Sequence, residues 1–542
     1  MKLHQPTRDL HGSAAFHRLG RQRRGVILFA VLIVVAILIL VGYQFLNLMQ
    51  VEFEAAVASN KVSQARRLAD SGLHYAAYIL AYPGNAGLNS DGSLVVSPMQ
   101  AYDNPGLFHQ RPVTDSTGNV VGYFSLVSPR DSSDPLAASQ GFRFGVEDEG
   151  GKINLNAALK VDKTGSKVKD VLSAIPNVTP DMASSLLNWM RSPSSQDNSG
   201  DSLYYASMGY SQKYGPYESF EELLLVRGVT PRILLGNDRN RNGILEADED
   251  DANGMLDHGL STYLTVYSRE MNVNSKGQPR VWINNTDLAG CNSQLSGVLG
   301  PDLAGFIVIA RQYGLLDRSV RFGNGPGQQP QPNRTVDGPP EKLDLTAVEA
   351  DKLKKINSLW DLVDGRVIAT EEVNGRQQRV LYNSPLKKND LGKLAQFLPL
   401  LLDGVSTTNV TDLPPRLNIL TASPDLIKAF PNMTQADADK IIENRPNINS
   451  DPSQSSAYNS LAWLVTLANF DPTTMGQLEP YITSRSQVFR VQAVGYYELN
   501  GPAVRLEAVI DTNGGRPRFL YWRDLSDLGR GFNFTTGNGA AP

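Results

Sequence analysis

The densest set of chemistry-bearing residues in the chain is Asp238-Arg-Asn240-Arg-Asn242-Gly243-Ile244-Leu-Glu246-Ala-Asp-Glu249. Counted from Asp238, oxygen-bearing side chains stand at the first, third, fifth, ninth and twelfth places, with glycine at the sixth and leucine at the eighth. A twelve-residue calcium loop sets its ligands in that order. Asp238, Asn240, Asn242, Glu246 and Glu249 would bind by side chain and Ile244 by its carbonyl, with Gly243 at the sharp bend. Calcium is hard and takes about six to eight oxygens, whereas zinc favours His or Cys, neither of which is in the loop. An acidic surface loop without metal is the alternative. A second acidic cluster, Asp248, Asp250, Asp251 and Asn253-Gly254, is too irregular for a separate site. The expected role is structural: calcium would neutralise the acids and hold the first helical unit against the segment starting at Leu260.

Catalytic chemistry has no comparable signal. There is no Gly-rich phosphate loop, no His-Glu-x-x-His and no G-x-S-x-G. Of the six histidines, His4, His11 and His17 precede the apolar N-terminal run, His74 falls on an amphipathic stretch, and His109 and His258 stand apart in polar segments. Glu221-Glu222 reads as helix surface. A tethered glycosidase working through Asp and Glu stays open, because distance in sequence does not exclude a spatial pair. A net charge of -4 argues against a nucleic-acid partner. The single cysteine, Cys291, cannot form an intrachain disulfide, so it is either buried or a free thiol. A chain of 542 residues holds about three or four domains.

The element that must anchor all this is at the N-terminus. Val26 to Met49 has no charged residue. A helix rises 1.5 Å per residue and about 20 apolar residues cross a bilayer core, so this run can span. Lys2, Arg8, Arg18, Arg21, Arg23 and Arg24 precede it against Asp9 alone, which predicts a cytoplasmic N-terminus and an exported remainder. A secretory signal has a shorter apolar region and a small-residue cleavage site, and this run has neither. An unprocessed anchor is the other reading.

Beyond it, Val57, Val62, Ala65, Leu68, Ala69, Gly72, Leu73, Ala76 and Ile79 recur at helical spacing. They predict one rod from Val26 to about Ala81, ended by Pro83-Gly84. A Gly, Asn and Ser-rich loop follows over 84–98. Alternation predicts strands at 120–127 and 142–147, and again at 486–498, 503–511 and 518–522, with turns at Asn500-Gly501-Pro502 and Asn513-Gly514-Gly515. One sheet built from both ends of the chain and laid on the rod makes Asn156 to Tyr481 an insertion.

The insertion repeats in outline. Lys152-Ile-Asn-Leu-Asn156 is followed by Val171 to Trp189, and Arg416-Leu-Asn-Ile-Leu-Thr421 by Leu426 to Arg445; Val281-Trp-Ile-Asn-Asn285 with Leu299 to Val308 is a decayed third copy. Thr179 and Thr434 stand at N-cap positions, with Pro180 in the first turn, so each unit reads as helix, tight turn, helix. Such units resemble helix-hairpin-helix folds, some of which bind DNA through a glycine-containing hairpin. Pro176-Asn-Val-Thr179 and Pro431-Asn-Met-Thr434 lack that glycine, and Asp181, Asp437 and Asp439 face the phosphate position, so nucleic acid should be repelled. Gly323 to Pro340 is a Gly, Pro and Gln-rich linker. Leu359-Trp-Asp-Leu-Val363 and Leu391 to Leu402 are apolar enough for helices or buried strands, and Gly531 to Pro542 has the composition of a tail.

The junction Arg24-Gly25/Val26-Ile27-Leu28-Phe29 resembles the cleavage site of type IV pilins and type II secretion pseudopilins. By that resemblance a prepilin peptidase cuts after Gly25, and Val26 becomes the methylated first residue. Most of the family carries glutamate at the fifth mature position; here it is Ala30. Among pseudopilins the K subunit, placed at the filament tip, habitually lacks that acid. Gln64-Ala-Arg-Arg-Leu-Ala-Asp-Ser-Gly72-Leu-His-Tyr-Ala76 and the segment from Asn188-Trp-Met190 to Val226-Arg-Gly-Val-Thr-Pro231 also resemble K pseudopilins. In that family the turn after the tryptophan helix is rich in aspartate; here Arg191 to Gly200 is poorer in carboxylates.

The resemblance implies an α+β protein: a long membrane-spanning helix packed on an antiparallel pseudopilin sheet, with a mainly helical insertion of repeated SAM-like or helix-hairpin-helix-like units. Its expected parts are a leader 1–25, the helix 26–81 with its membrane portion 26–49, the sheet domain 82–155 plus 482–530, insertions 156–322 and 341–481 about the linker 323–340, and a tail 531–542. The implied function is non-catalytic: a minor pseudopilin at the pseudopilus tip, in the inner membrane with its bulk in the periplasm. Expected partners are I-type and J-type minor pseudopilins, the prepilin peptidase, and secreted substrates or the outer-membrane secretin. The alternative is a tip subunit of a type IV pilus with an adhesin-like domain.

Overall fold

The computed structural model describes residues 23–81, 101–130, 134, 136–137, 140–191, 200–252, 254–373, 376–430, 433–446, 457–497 and 501–532. The leader through residue 22, the loop 84–98, most of the turn after the tryptophan helix, Pro431-Asn432, Asn500 and the tail from 533 lie outside these residues. The chain divides into two compact units, Met1–Ser63 and Gln64–Pro542.

Helix α1 (Arg23–Ala81) is unbroken because its sequence contains no proline and its glycines, Gly25, Gly42 and Gly72, stand singly. In the first unit its residues from Val26 to Asn60 are exposed, and it is long and apolar enough to cross a membrane. In the second unit the helix buries a stripe, Ala65, Ala69, Leu73, Ala76 and Leu80. That three- and four-residue spacing places one face on a sheet.

The sheet is seven-stranded, and all its pairings are antiparallel. It comprises β1 (Arg111–Thr114), β2 (Val120–Pro129), β3 (Phe142–Arg143), β4 (Glu147–Asp148), β5 (Val488–Tyr496), β6 (Ala503–Asp511) and β7 (Arg518–Asp524). The order along it is β1-β2-β5-β6-β7, with β3 on β2 and β4 on β5, so both ends of the chain build one sheet. Successive strand residues point to opposite faces. Val491, Ala493, Val504, Leu506, Ala508 and Ile510 pack with the α1 stripe. The alternate residues Arg490, Gln492, Arg505 and Glu507 turn to the insertion. At Gly495 the approach is closest: a Cβ there would lie 2.1 Å from Ala65 O and 2.3 Å from Ala69 N.

The insertion contains three copies of one plan, each closed by a two-residue parallel pairing: Ile153–Asn154 with Leu264–Thr265, Val281–Trp282 with Val405–Ser406, and Leu417–Asn418 with Ile482–Thr483. Each copy carries a helix pair: α2 (Ser166–Ser173) and α3 (Pro180–Asn188), α4 (Leu288–Leu299) and α5 (Pro301–Tyr313), then α6 (Pro424–Ala429) and α7 (Gln435–Glu443). Thr179 Oγ1 accepts the Met182 N–H (3.2 Å) and Thr434 Oγ1 accepts the Asp437 N–H (3.1 Å), capping the second helix of the first and last pairs. In each copy a serine precedes a buried leucine by four residues: Ser219 and Leu223, Ser358 and Leu362, Ser460 and Leu464. Phe220, Trp360 and Trp463 are buried beside them, in the core shared by all three copies.

The stretch expected as a linker, 323–340, is partly built into the fold. Arg334–Asp337 is a strand pairing in parallel with Arg376–Asn383, which forms a hairpin with Arg366–Val373. Leu359–Leu362 is a short 3-10 helix, and Leu391–Gly404 is an α-helix that tolerates Pro399 within it. Cys291 is buried, and burial pushes its thiol up.

Candidate metal centre

The loop that begins at Asp238 follows the short helix Pro231–Leu235, which Gly236 ends at φ +68°. A side chain at Gly236 would meet Asp257 O at 1.8 Å, and one at Gly259 (φ +58°) would meet Ile233 O at 2.4 Å. Two glycines therefore let the chain cross itself here. Asn237 ties the crossing: its Nδ2 donates to Met255 O (3.1 Å) and its Oδ1 accepts the Asp257 N–H (2.7 Å).

The crossing brings a residue to the loop that sequence reasoning left isolated. His258 Nδ1 lies 3.1 Å from Asp238 Oδ2, and its Nε2 lies 3.0 Å from Arg130 O. Burial opposes a charge on the ring, but Asp238 and the Arg130 carbonyl outweigh it and leave the pKa raised. Both nitrogens face acceptors, which suits an imidazolium.

The predicted ligands share one loop, engaged as follows. Asp238 Oδ1 accepts the Asn242 N–H (3.0 Å) and Oδ2 the Gly243 N–H (2.9 Å), with Gly243 at φ +70°. Asn240 Oδ1 also accepts the Asn242 N–H (3.0 Å), and Asn242 Oδ1 accepts the Ile244 N–H (2.7 Å). Glu246 takes both carboxamides, from Asn240 Nδ2 (3.0 Å) and Asn242 Nδ2 (3.1 Å). Glu249 Oε1 accepts the N–H groups of Arg239 (2.8 Å) and Asn240 (3.3 Å), while its Oε2 is buried without a partner. Burial, reinforced by the charge of Asp238, pushes Glu249 above the usual carboxylate range.

Among the described residues, no group of three or more His, Cys, Asp or Glu is gathered to hold a metal ion. Glu246 is turned to the two carboxamides and Glu249 to main-chain N–H groups. The loop offers oxygen donors alone, the chemistry of a hard divalent cation, and the orphaned Glu249 Oε2 fits such an ion.

The loop is also clamped on the sheet. Arg505 Nη2 donates to Asn240 O (2.8 Å) and Arg241 O (3.1 Å), and Gln492 Nε2 donates to Arg241 O (2.9 Å). The Arg241 side chain pairs with Glu507 (3.2 Å) and Glu221 (3.1 Å). On its other side Gly243 packs main chain to main chain on Gly141, where a Cβ would lie 2.4 Å from Gly141 O.

The other predicted positions, Gly25, Val26 and Ala30, lie within α1, and Val26 and Ala30 are exposed. In comparisons with known proteins, no family model matches this chain and no curated protein matches it.

Proposed function

We propose that this chain is a non-catalytic, K-type minor pseudopilin at the tip of a type II secretion pseudopilus. The observation that carries the reading is α1 itself: apolar and exposed from Val26, then packed through Ala65 to Leu80 on an antiparallel sheet made by both ends of the chain. A filament subunit needs both properties, a helix that lies in lipid and against its neighbours, and a globular part fixed to that helix. Ala30 supports the tip position, because a carboxylate there would be costly in hydrocarbon without a partner. The N-terminus is cytoplasmic and the bulk periplasmic, as the Lys/Arg bias before Val26 favours. I-type and J-type minor pseudopilins would associate through 26–46, and secreted substrates or the secretin would meet the exported part.

Processing gives a direct test. Intact-mass and N-terminal peptide analysis of the membrane-extracted protein is expected to find loss of residues 1–25 and an N-methylated Val26. A chain beginning at Met1 in cells with an active prepilin peptidase would remove the pseudopilin reading and leave a simple anchor.

In this reading Asp238, Asn240, Asn242, Glu246, Glu249 and the Ile244 carbonyl hold a structural calcium ion. Calcium supplies the positive charge that Glu249 Oε2 lacks and fixes the loop on Gln492 and Arg505 of the sheet. A ligand at a hundred times its Kd stabilises the folded state by about 2.7 kcal/mol. Chelation is therefore expected to lower the thermal midpoint of the wild-type protein and to leave that of Glu249→Gln unmoved. An equal midpoint with and without chelator in the wild type would remove these residues as ligands.

A further inference from the structure

The seam between the second and third copies of the insertion holds a half-open pocket of about 360 Å³, lined on one side by Arg280 and Ser406 and on the other by Ser460, Thr483, Ser484 and Arg485. Three arginines gather around this seam, and two of them are neutralised. Arg416 is paired with Glu270, and Arg485 Nη1 lies 2.8 Å from Asp403 Oδ1. Arg280 is different. Its Nε donates to the main-chain Asp403 O (3.0 Å), which orients the guanidinium without neutralising it. Among the described residues, no carboxylate lies within ion-pair distance of it. Glu479, the remaining acid on the wall, is engaged by Ser358 Oγ at 2.7 Å.

The wall also carries hydroxyls, beside apolar residues such as Leu359, Leu402 and Leu413 and the acids Asp403 and Glu479. Ser406 Oγ accepts the Thr408 N–H (3.3 Å), Ser460 Oγ the Ala462 N–H (3.4 Å) and Thr483 Oγ1 the Arg485 N–H (3.3 Å). Each hydroxyl thus accepts one main-chain N–H and keeps its own proton to give. Ser484 Oγ is buried with no partner, in a residue that is 7% exposed. A buried hydroxyl without a partner calls for a missing one. Burial, with the like charges of Arg485 and Arg416, pushes Arg280 down to about 10 against the opposing pull of Glu270 and Asp403.

We infer that this pocket is a binding site for a compact oxyanion, held by the unpaired guanidinium fork of Arg280 and by the hydroxyl of Ser484. A carboxylate or a sulfate presents two oxygens at the spacing of that fork, and charge-assisted bonds of this kind are the strong ones. The oxyanion has two sources, a free inorganic anion or an acidic side chain of a polypeptide entering the seam. The site does not depend on the filament reading, because no residue of α1 lines it.

The test uses the full-length protein in detergent, titrated with inorganic sulfate in one arm and an acetylated penta-glutamate peptide in the other, against chloride at equal ionic strength. The expected result is a saturable rise of the thermal midpoint in at least one arm. The sulfate arm alone assigns a free anion; the peptide arm alone assigns a polypeptide carboxylate. Arg280→Lys keeps the charge and loses the fork, and is expected to weaken binding at least about tenfold. Ser484→Ala is expected to weaken it by a smaller factor, and decides the matter should Arg280→Lys not fold. No saturable rise beyond chloride in either arm, or equal binding by the wild type and both variants, overturns the site.

Discussion

Arg490→Met is expected to destabilise the second unit by about 3–5 kcal/mol, the cost of removing one partner from a buried ion cluster. Arg490 stands on β5 with its Nε 2.6 Å from Glu149 Oε1 and its Nη1 3.3 Å from Glu507 Oε1. Both acids are buried, Glu149 completely. The guanidinium also lies over the rings of Tyr267 (5.6 Å) and Tyr521 (5.8 Å). Removing it leaves Glu149 with the Thr265 hydroxyl and, among the described residues, Lys152 (3.7 Å) as its one ion-pair partner. Set against total stabilities of about 5–15 kcal/mol for folded proteins, that loss is large. Urea denaturation of the wild type and the variant measures it. The double replacement with Glu149→Met is expected to cost less than the single one, because no uncompensated charge remains at Glu149.

The same cluster sets a pH dependence. Burial alone would push the Glu149 carboxyl up, but Arg490, Lys152 and the Thr265 hydroxyl overcome it and bring it down from 4.5 to about 2. A carboxyl whose folded pKa is depressed contributes stability that is present above the unfolded value and lost as pH falls through the folded one. Stability is therefore expected to decline from about pH 4.5 toward pH 2, and the decline to shrink in the Arg490→Met/Glu149→Met protein.

Gly495→Ala is the second large effect. Its added Cβ would lie 2.1 Å from Ala65 O and 2.3 Å from Ala69 N. Both neighbours are main chain of α1, so no side chain can swing aside and the helix must lift from β5. Overpacking of a tight core costs about 1–3 kcal/mol and occasionally more; with rigid neighbours the upper end, about 3 kcal/mol, is expected. Gly297→Ala is the matched comparison. It lies on the exposed side of α4 with nothing within 4 Å of the new Cβ, and is expected to stabilise by up to about 1 kcal/mol. Denaturant midpoints of the two variants should therefore move in opposite directions.

Most of the sheet was legible in sequence because its strands are short alternating runs between Gly and Asn turns, but Arg111–Thr114 was not expected, and the strand expected at 142–147 is two short ones, Phe142–Arg143 and Glu147–Asp148, on different partners. The expected 486–498 and 518–522 correspond to Val488–Tyr496 and Arg518–Asp524, and Ala503–Asp511 agrees at both ends. The α1 stripe was legible for the same reason at helical spacing. Arg334–Asp337 was not, because nothing in a Gly, Pro and Gln-rich stretch announces a strand whose pairing with Arg376–Asn383 is supplied from about forty residues away. The hairpin containing that partner did carry a signal, Val367 and Ala369 alternating before Asn374-Gly375.

In the candidate centre the spacing identified the oxygen-bearing residues but not their surroundings. His258 looked isolated because its partner, Asp238, is twenty residues upstream and is reached only by the crossing at Gly236 and Gly259. Gln492 and Arg505 stayed hidden for a related reason: their strands come from the far end of the chain, so no local pattern ties them to Asn240 and Arg241. The middle helical unit, weak in sequence, becomes plain once Val281–Trp282 and Val405–Ser406 close it as the other two copies are closed.

The most direct measurement of the central claim is cross-linking within the membrane. A photo-reactive benzoylphenylalanine placed at Val34 of the full-length chain, expressed in its own host and irradiated, samples the neighbours of the apolar part of α1. The account predicts covalent adducts with two smaller minor pseudopilins, identified by peptide mass. Adducts with the major subunit of a type IV pilus alone, or none in cells actively secreting, would contradict it.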